Sequence, residues 1–153
     1  MTAIPEKIER ETFIAAPVER VWKLLTEADH LGTWFGDAGA EIDLRPGGTI
    51  LLRWAEHGTV HGRVERVEPE RVFSYRWAAR QDTGEIELVD GNSTLVEFVL
   101  DSQGDDTRLR VVESGFPALD FPPEQQAERA HGNENGWEIE LGHLGDHARR
   151  VQV

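Results

Sequence analysis

The chain has 153 residues, no cysteine and a net charge of −13. That length suits one domain over residues 1–153, able to bury about 70% of its unfolded surface. The charge argues against nucleic acid and anionic membrane surfaces as partners, and the lack of cysteine excludes disulfides, thiolate metal sites and cysteine nucleophiles. Hydrophobic residues at 39% and charged residues at 29% place the chain with soluble folded proteins rather than disordered ones. The opening stretch to Arg10 is polar, and no apolar run approaches the ~20 residues of a membrane span, so a cytoplasmic location is expected.

Lys7 to Ala15 alternates and reads as a first strand. Pro17 stands at a helix start, followed by the stripe Val18, Val21, Trp22 and Leu25. A short second helix is expected around Leu31, Trp34 and Phe35, ended by Gly36. Strands then follow at Ala40–Leu44, Thr49–Glu56, Thr59–Glu68 and Arg71–Trp77, separated by Arg45-Pro46-Gly47-Gly48, His57-Gly58 and Pro69-Glu70. Gly62, inside the third of these, marks a bend or a close approach. Ala78 to Asn92 reads as a long loop with room for a frayed hairpin near Ile86–Val89. Ser93–Leu100 and Thr107–Ser114 complete the strands, and hairpin turns between neighbours argue for an antiparallel meander. Pro122-Pro123 opens a helical stretch that either runs through or stops at Gly132. From Glu134 to Val151 the residues Trp137, Leu141, Leu144, Ala148 and Val151 share one face. The opposite face carries Glu138, Glu140, His143, Asp146 and His147. A one-sided helix ending a strand-rich chain needs a sheet to lie on. The fold class is therefore α+β, with a curved antiparallel sheet around a C-terminal helix and a cavity between them. Gly142 and Gly145 in that helix imply a close neighbour or a loosely held, door-like half.

Aromatic residues converge on the inward side: Trp34, Phe35, Trp54, Phe73, Tyr75, Trp77, Phe98 and Trp137, with Leu141 from the helix. They form core, cavity wall or both; Trp34, Tyr75 and Trp77 are the leading wall candidates. Glu113 shares the inward side of its strand with Leu109 and Val111. A buried carboxylate must be paired, hydrogen-bonded or protonated. It is either a polar anchor or general acid in an apolar pocket, or a rim residue facing solvent or an arginine. Tyr75 is the second polar anchor. His143, His147 and Glu140 have spacings able to hold a metal, yet they fall on the polar face with no third strong ligand placed, so a solvated face is expected. Serine elbows and phosphate loops are missing. No metal or cofactor is expected.

Five phrases in order resemble one family: Ala16-Pro17-Val18-Glu19-Arg20-Val21-Trp22, Leu31-Gly32-Thr33-Trp34-Phe35, Leu44-Arg45-Pro46-Gly47-Gly48, Gly62 to Pro69, and Gly136-Trp137 with Leu141 and Leu144. Over roughly Ile8 to Val151 the chain resembles bacterial Hsp90-ATPase-activator-homologue-like proteins of the START-like, Bet v 1-like (SRPBCC) superfamily. The resemblance implies a helix-grip fold and the binding of a lipid, sterol or polyketide-like molecule. It also implies two alternatives. One is a stress-related co-chaperone stimulating an Hsp90-type ATPase. The other is a cyclase- or hydrolase-like enzyme with Glu113 as acid/base and Tyr75 as proton donor. The N-terminal chaperone-binding domain of the eukaryotic activators has no counterpart among these residues.

Overall fold

The computed structural model describes residues 4–151. Strand β1 (Lys7–Ile14) leads to helix α1 (Val18–Thr26), the single turn α2 (Ala28–His30) and a π-helical turn, Leu31–Phe35. Six strands follow: β2 (Ala40–Ile42), β3 (Thr49–Trp54), β4 (Gly58–Glu68), β5 (Val72–Ala78), β6 (Ser93–Gln103) and β7 (Asp106–Ser114). A 3-10 turn, Phe116–Ala118, precedes helix α3 (Pro123–Arg150).

The seven strands form one antiparallel sheet in the order β1-β7-β6-β5-β4-β3-β2. From β2 to β7 the sheet is the expected meander, but β1 crosses to the far edge and pairs with β7. Curvature is built into β4. Its register against β5 shifts between Val64 and Arg66, a bulge that bends the strand. Two residues earlier, a Cβ on Gly62 would stand 2.8 Å from both the Arg76 carbonyl oxygen and Ile50 Cγ2. Only glycine lets the neighbouring strands approach so closely there. The loop from Ala79 to Asn92 contains no hairpin ladder. Asn92 organises part of it, accepting from the Val89 amide at 2.9 Å and donating to the Glu87 carbonyl at 2.9 Å.

Helix α3 is continuous for 28 residues, so Gly132 does not divide it. It packs on β1, on the Leu31–Phe35 turn and on the 3-10 turn. Its buried residues come in two groups. Gln126, Ala127 and Ala130 anchor the N-terminal part, Gln126 donating to the carbonyls of Pro117 and Leu119 at 3.2 and 2.7 Å. Trp137, Leu141, Leu144, His147 and Ala148 anchor the C-terminal part. Between Ala130 and Trp137 no residue is fully buried. A Cβ at Gly142 would meet nothing within 4 Å and one at Gly145 only the Arg149 side chain, so neither glycine serves close packing. That half of the helix is held by Leu144, fully buried, and by the buried His147 and Ala148.

Candidate functional site

Glu113 lies near the end of β7, where alternation turns it inward with Leu109 and Val111, and it is 0% exposed. It is neither at a rim nor paired with an arginine. Four uncharged side chains donate five hydrogen bonds to it. Oε2 accepts from Thr94 Oγ1 at 2.6 Å, Trp77 Nε1 at 3.0 Å and Asn133 Nδ2 at 3.1 Å. Oε1 accepts from Trp137 Nε1 at 2.9 Å and Asn133 Nδ2 at 3.1 Å. Trp77 comes from β5 and Thr94 from β6, while Asn133 and Trp137 lie one turn apart on α3. One carboxylate thus ties three strands to the helix, repaying its burial through charge-assisted bonds. All of these partners donate, so the site is built for an acceptor and is unsuited to a general acid.

The two indoles that bind Glu113 also wall a cavity of about 520 Å³ between the sheet and α3. Phe35, Trp54, Val60, Trp77 and Trp137 supply its apolar surface. Phe35 is the hub, with ring centroids 5.0 Å from Trp34, 5.1 Å from Trp54 and 5.2 Å from Trp137. Part of the helix side of the wall is formed by Gly132, Asn133 and Gly136, in the segment where no residue of α3 is fully buried. A Cβ on Gly132 or Gly136 would meet nothing within 4 Å. These glycines keep space open rather than letting neighbours close in. The acidic side of the cavity carries Asp37, Glu140 and His143, which also line an adjoining recess of about 220 Å³. The other side carries Arg129, Gly132 and Asn133, shared with a recess of about 360 Å³.

Of the wall candidates, the structure places Phe35, Trp54, Trp77 and Trp137 on the cavity. Phe73, Tyr75, Phe98, Val111 and Leu141 are instead core residues beyond it, and Trp34 faces only the smaller recess. The inward face of the sheet has two zones. At one end α1 covers it, with Trp22 edge-on to Phe73 at 6.4 Å and Phe73 stacked on Phe98 at 6.2 Å. Trp34 is fixed there by donating to the Leu24 carbonyl at 2.6 Å. The zone beneath Gly132 and Gly136 stays open. Tyr75 is 1% exposed, and its hydroxyl has no partner among the described residues. Burial pushes its pKa well above the ordinary value, with the charges of Glu113 and Glu140 adding to the effect. It is poorly suited to proton donation.

The polar face of α3 is not uniformly solvated. Glu140 is largely buried in the cavity wall, where Oε1 meets His143 Nδ1 at 3.0 Å while Oε2 has no partner among the described residues. Burial raises its pKa to about 7; the charge and hydrogen bond of His143 oppose this and Asp37 adds to it. His147 is buried too, its Nε2 lying 2.9 Å from Nδ1 of His30. Burial lowers its pKa, and the charges of His30 and Arg150 lower it further. The reason is positional: α2 and the π-helical turn cover this flank of the helix. Among the described residues, no group of three or more His, Cys, Asp or Glu is arranged to hold a metal, and no helix is long and apolar enough to cross a membrane.

Comparison with known proteins agrees with this architecture. The crystal structure of protein MLL2253 from Mesorhizobium loti superposes with a TM-score of 0.77 at 23% identity, over 96% of this chain and 99% of that one. The solution structure of the Aha1 dimer from Colwellia psychrerythraea gives 0.69 at 20% identity, over 92% and 93%. CalU16 from Micromonospora echinospora gives 0.67 at 24% identity, over 93% and 75%. At these identities the likeness shows a shared fold. No curated protein matches in sequence. The family model for Activator of Hsp90 ATPase homolog 1-like protein, however, matches residues 15–148. The chain belongs to the family of Activator of Hsp90 ATPase homolog 1-like proteins, with the curved sheet, the short helices after β1 and the long C-terminal helix of the helix-grip fold.

Proposed function

We propose that the protein binds a small, largely apolar molecule in the cavity between the sheet and α3. The observation that carries this reading is the pair Gly132 and Gly136. A helix interior loses about 1 kcal/mol for each glycine in place of alanine, and here neither glycine admits a close neighbour. What they supply is volume, opposite Phe35, Trp54 and Trp77. A cavity of a few hundred Å³ or more with aromatic walls and a few polar groups suits a small ligand. Burying about 250 Å² of apolar ligand surface is worth roughly 6 kcal/mol. Ordering costs take part of that back, so affinities of about 0.1 mM to a few millimolar are expected. Asp37, Glu140 and His143 on one side, and Gln81, Arg129 and Asn133 elsewhere in the lining, supply polar contacts that orient the ligand.

An acid–base role for Glu113 does not fit its surroundings, because its oxygens are engaged by donors and the cavity is lined by its partners rather than by Glu113 itself. The test is native mass spectrometry of the protein with octanol added up to millimolar concentration, beside the variant Gly136→Leu. The unmodified protein should carry a small-molecule adduct that the variant lacks, with both folded. Equal adducts on the two, or none on either, would contradict the reading.

A further inference from the structure

Arg129 stands apart from most arginines of this chain. Arg10, Arg53, Arg63, Arg76 and Arg108 each sit in an ion pair with a carboxylate. Arg129 is half-buried in the cavity wall and makes no hydrogen bond or ion pair among the described residues. In a chain of net charge −13 a partly desolvated guanidinium without a carboxylate is costly, and of the two half-buried arginines without a partner among the described residues, Arg20 and Arg129, Arg129 is the one that lines the cavity. A carboxylate nearby, Glu113, is already occupied by Thr94, Trp77, Asn133 and Trp137. It nonetheless raises the Arg129 pKa, against the larger lowering by burial and a further lowering by Arg80.

Arg80 is the second part of the arrangement. It lies with Arg129 on the recess that adjoins the cavity through Gly132 and Asn133. Its guanidinium carbon is 4.5 Å from the Phe121 ring centroid, a cation–π contact that fixes its position without neutralising it. It has no ion-pair partner among the described residues either. Glu128 also lines this recess, yet forms an ion pair with neither arginine. Two unneutralised guanidinium groups thus share one recess, which adjoins the cavity walled by Trp77 and Trp137.

We infer that the ligand is an apolar acid: its apolar body lies against Trp77, Trp137 and Phe35, and its carboxylate is held at the recess by Arg129, with Arg80 as the outer partner. This rests on the cavity-binding reading and adds the chemical class of the ligand. A guanidinium fork matches a carboxylate in bidentate geometry. The opposite side of the cavity, with Asp37 and Glu140, repels an anion, so the two sides together set one orientation. A neutral alcohol of the same chain length would keep the apolar contacts and lose the charged one.

The test compares octanoate with octanol, followed by quenching of the tryptophan fluorescence and by calorimetry. The unmodified protein should bind octanoate about ten-fold more tightly than octanol. Arg129→Met should abolish that preference by weakening octanoate about ten-fold more than octanol, with thermal denaturation confirming a folded variant. Arg129→Lys should restore part of the preference, and Arg80→Gln should reduce it less than Arg129→Met. Equal affinity for the two probes, or a preference that survives Arg129→Met, would overturn the assignment while leaving the cavity reading standing. Binding of neither probe up to millimolar concentration would overturn both.

Discussion

Glu113 and Glu140 are both carboxylates removed from solvent at the interface of sheet and helix, and they have opposite surroundings. Glu113 is fully buried and accepts five hydrogen bonds from four neutral side chains. Glu140 is less deeply buried, meets only His143, and leaves one oxygen without a partner. Burial raises the pKa of Glu140 to about 7. The difference shows that depth alone does not decide what a buried acid does. The number of donors aimed at it does. Glu113 is part of the framework, while Glu140 is a responsive group on the wall of the cavity.

The largest effect should come from disturbing the framework acid. Glu113→Gln replaces an accepting oxygen with an NH2 that faces the donors of Trp77, Asn133 and Trp137, and should cost about 3 kcal/mol, a fall in Tm of roughly 10 °C. Thermal denaturation at neutral pH measures it, and a loss under about 1 kcal/mol would erase the contrast. Glu140→Gln should act in the opposite sense. The raised carboxyl pKa means that the native state binds the proton more tightly than the unfolded chain. Stability from this group is therefore present at low pH and is lost as pH rises from the unfolded value through about 7. The substitution should be nearly neutral at pH 5 and stabilising by about 1 kcal/mol at pH 8, less than full linkage because solvent reaches the group.

His147 sharpens the comparison from the other side. Its pKa is lowered by burial, so its contribution is present above the ordinary histidine value and is lost as pH falls towards the depressed one. With Glu140→Gln in place, His147→Gln should remove the part of the acid decline that falls between the ordinary and the depressed histidine pKa. A denaturant midpoint measured across pH separates the two. The smallest effect expected is from Gly142→Ala, on the helix outside the cavity, which should add somewhat under 1 kcal/mol and leave ligand binding unchanged.

The meander from β2 to β7 was legible from the hairpin turns and the inward turn of Glu113 from the regular alternation along β7, whereas the pairing of β1 with β7 was not. The resemblance to the family was carried by short phrases spread over the chain, and the matched span of 15–148 agrees with it. What surrounds Glu113 was not legible. Its donors come from β5, β6 and α3, and no local pattern joins Thr94 to Asn133. The aromatic candidates divided into core and wall for a similar reason: strand periodicity tells inward from outward, but not which inward zone α1 covers. The cavity itself is made by missing side chains. Gly132 looked like a place for the helix to stop, and the i, i+4 spacing of Gly132 and Gly136 on one face was the available clue. Glu140 and His147 were misplaced because the helical wheel assumes one covered face, whereas α2 and the π-helical turn cover a second flank.

On the proposed function, the open zone beneath Gly132 and Gly136 takes up a small apolar molecule. The five tryptophan indole N–H resonances test it within one sample. Titration with octanoate or octanol should shift the signals of Trp54, Trp77 and Trp137, which line the cavity, and leave Trp22 unmoved, since it packs against Phe73 outside the cavity. In Gly136→Leu the same additions should shift none of them. A uniform drift of all five signals, or no response from the cavity tryptophans at millimolar probe, would contradict the account.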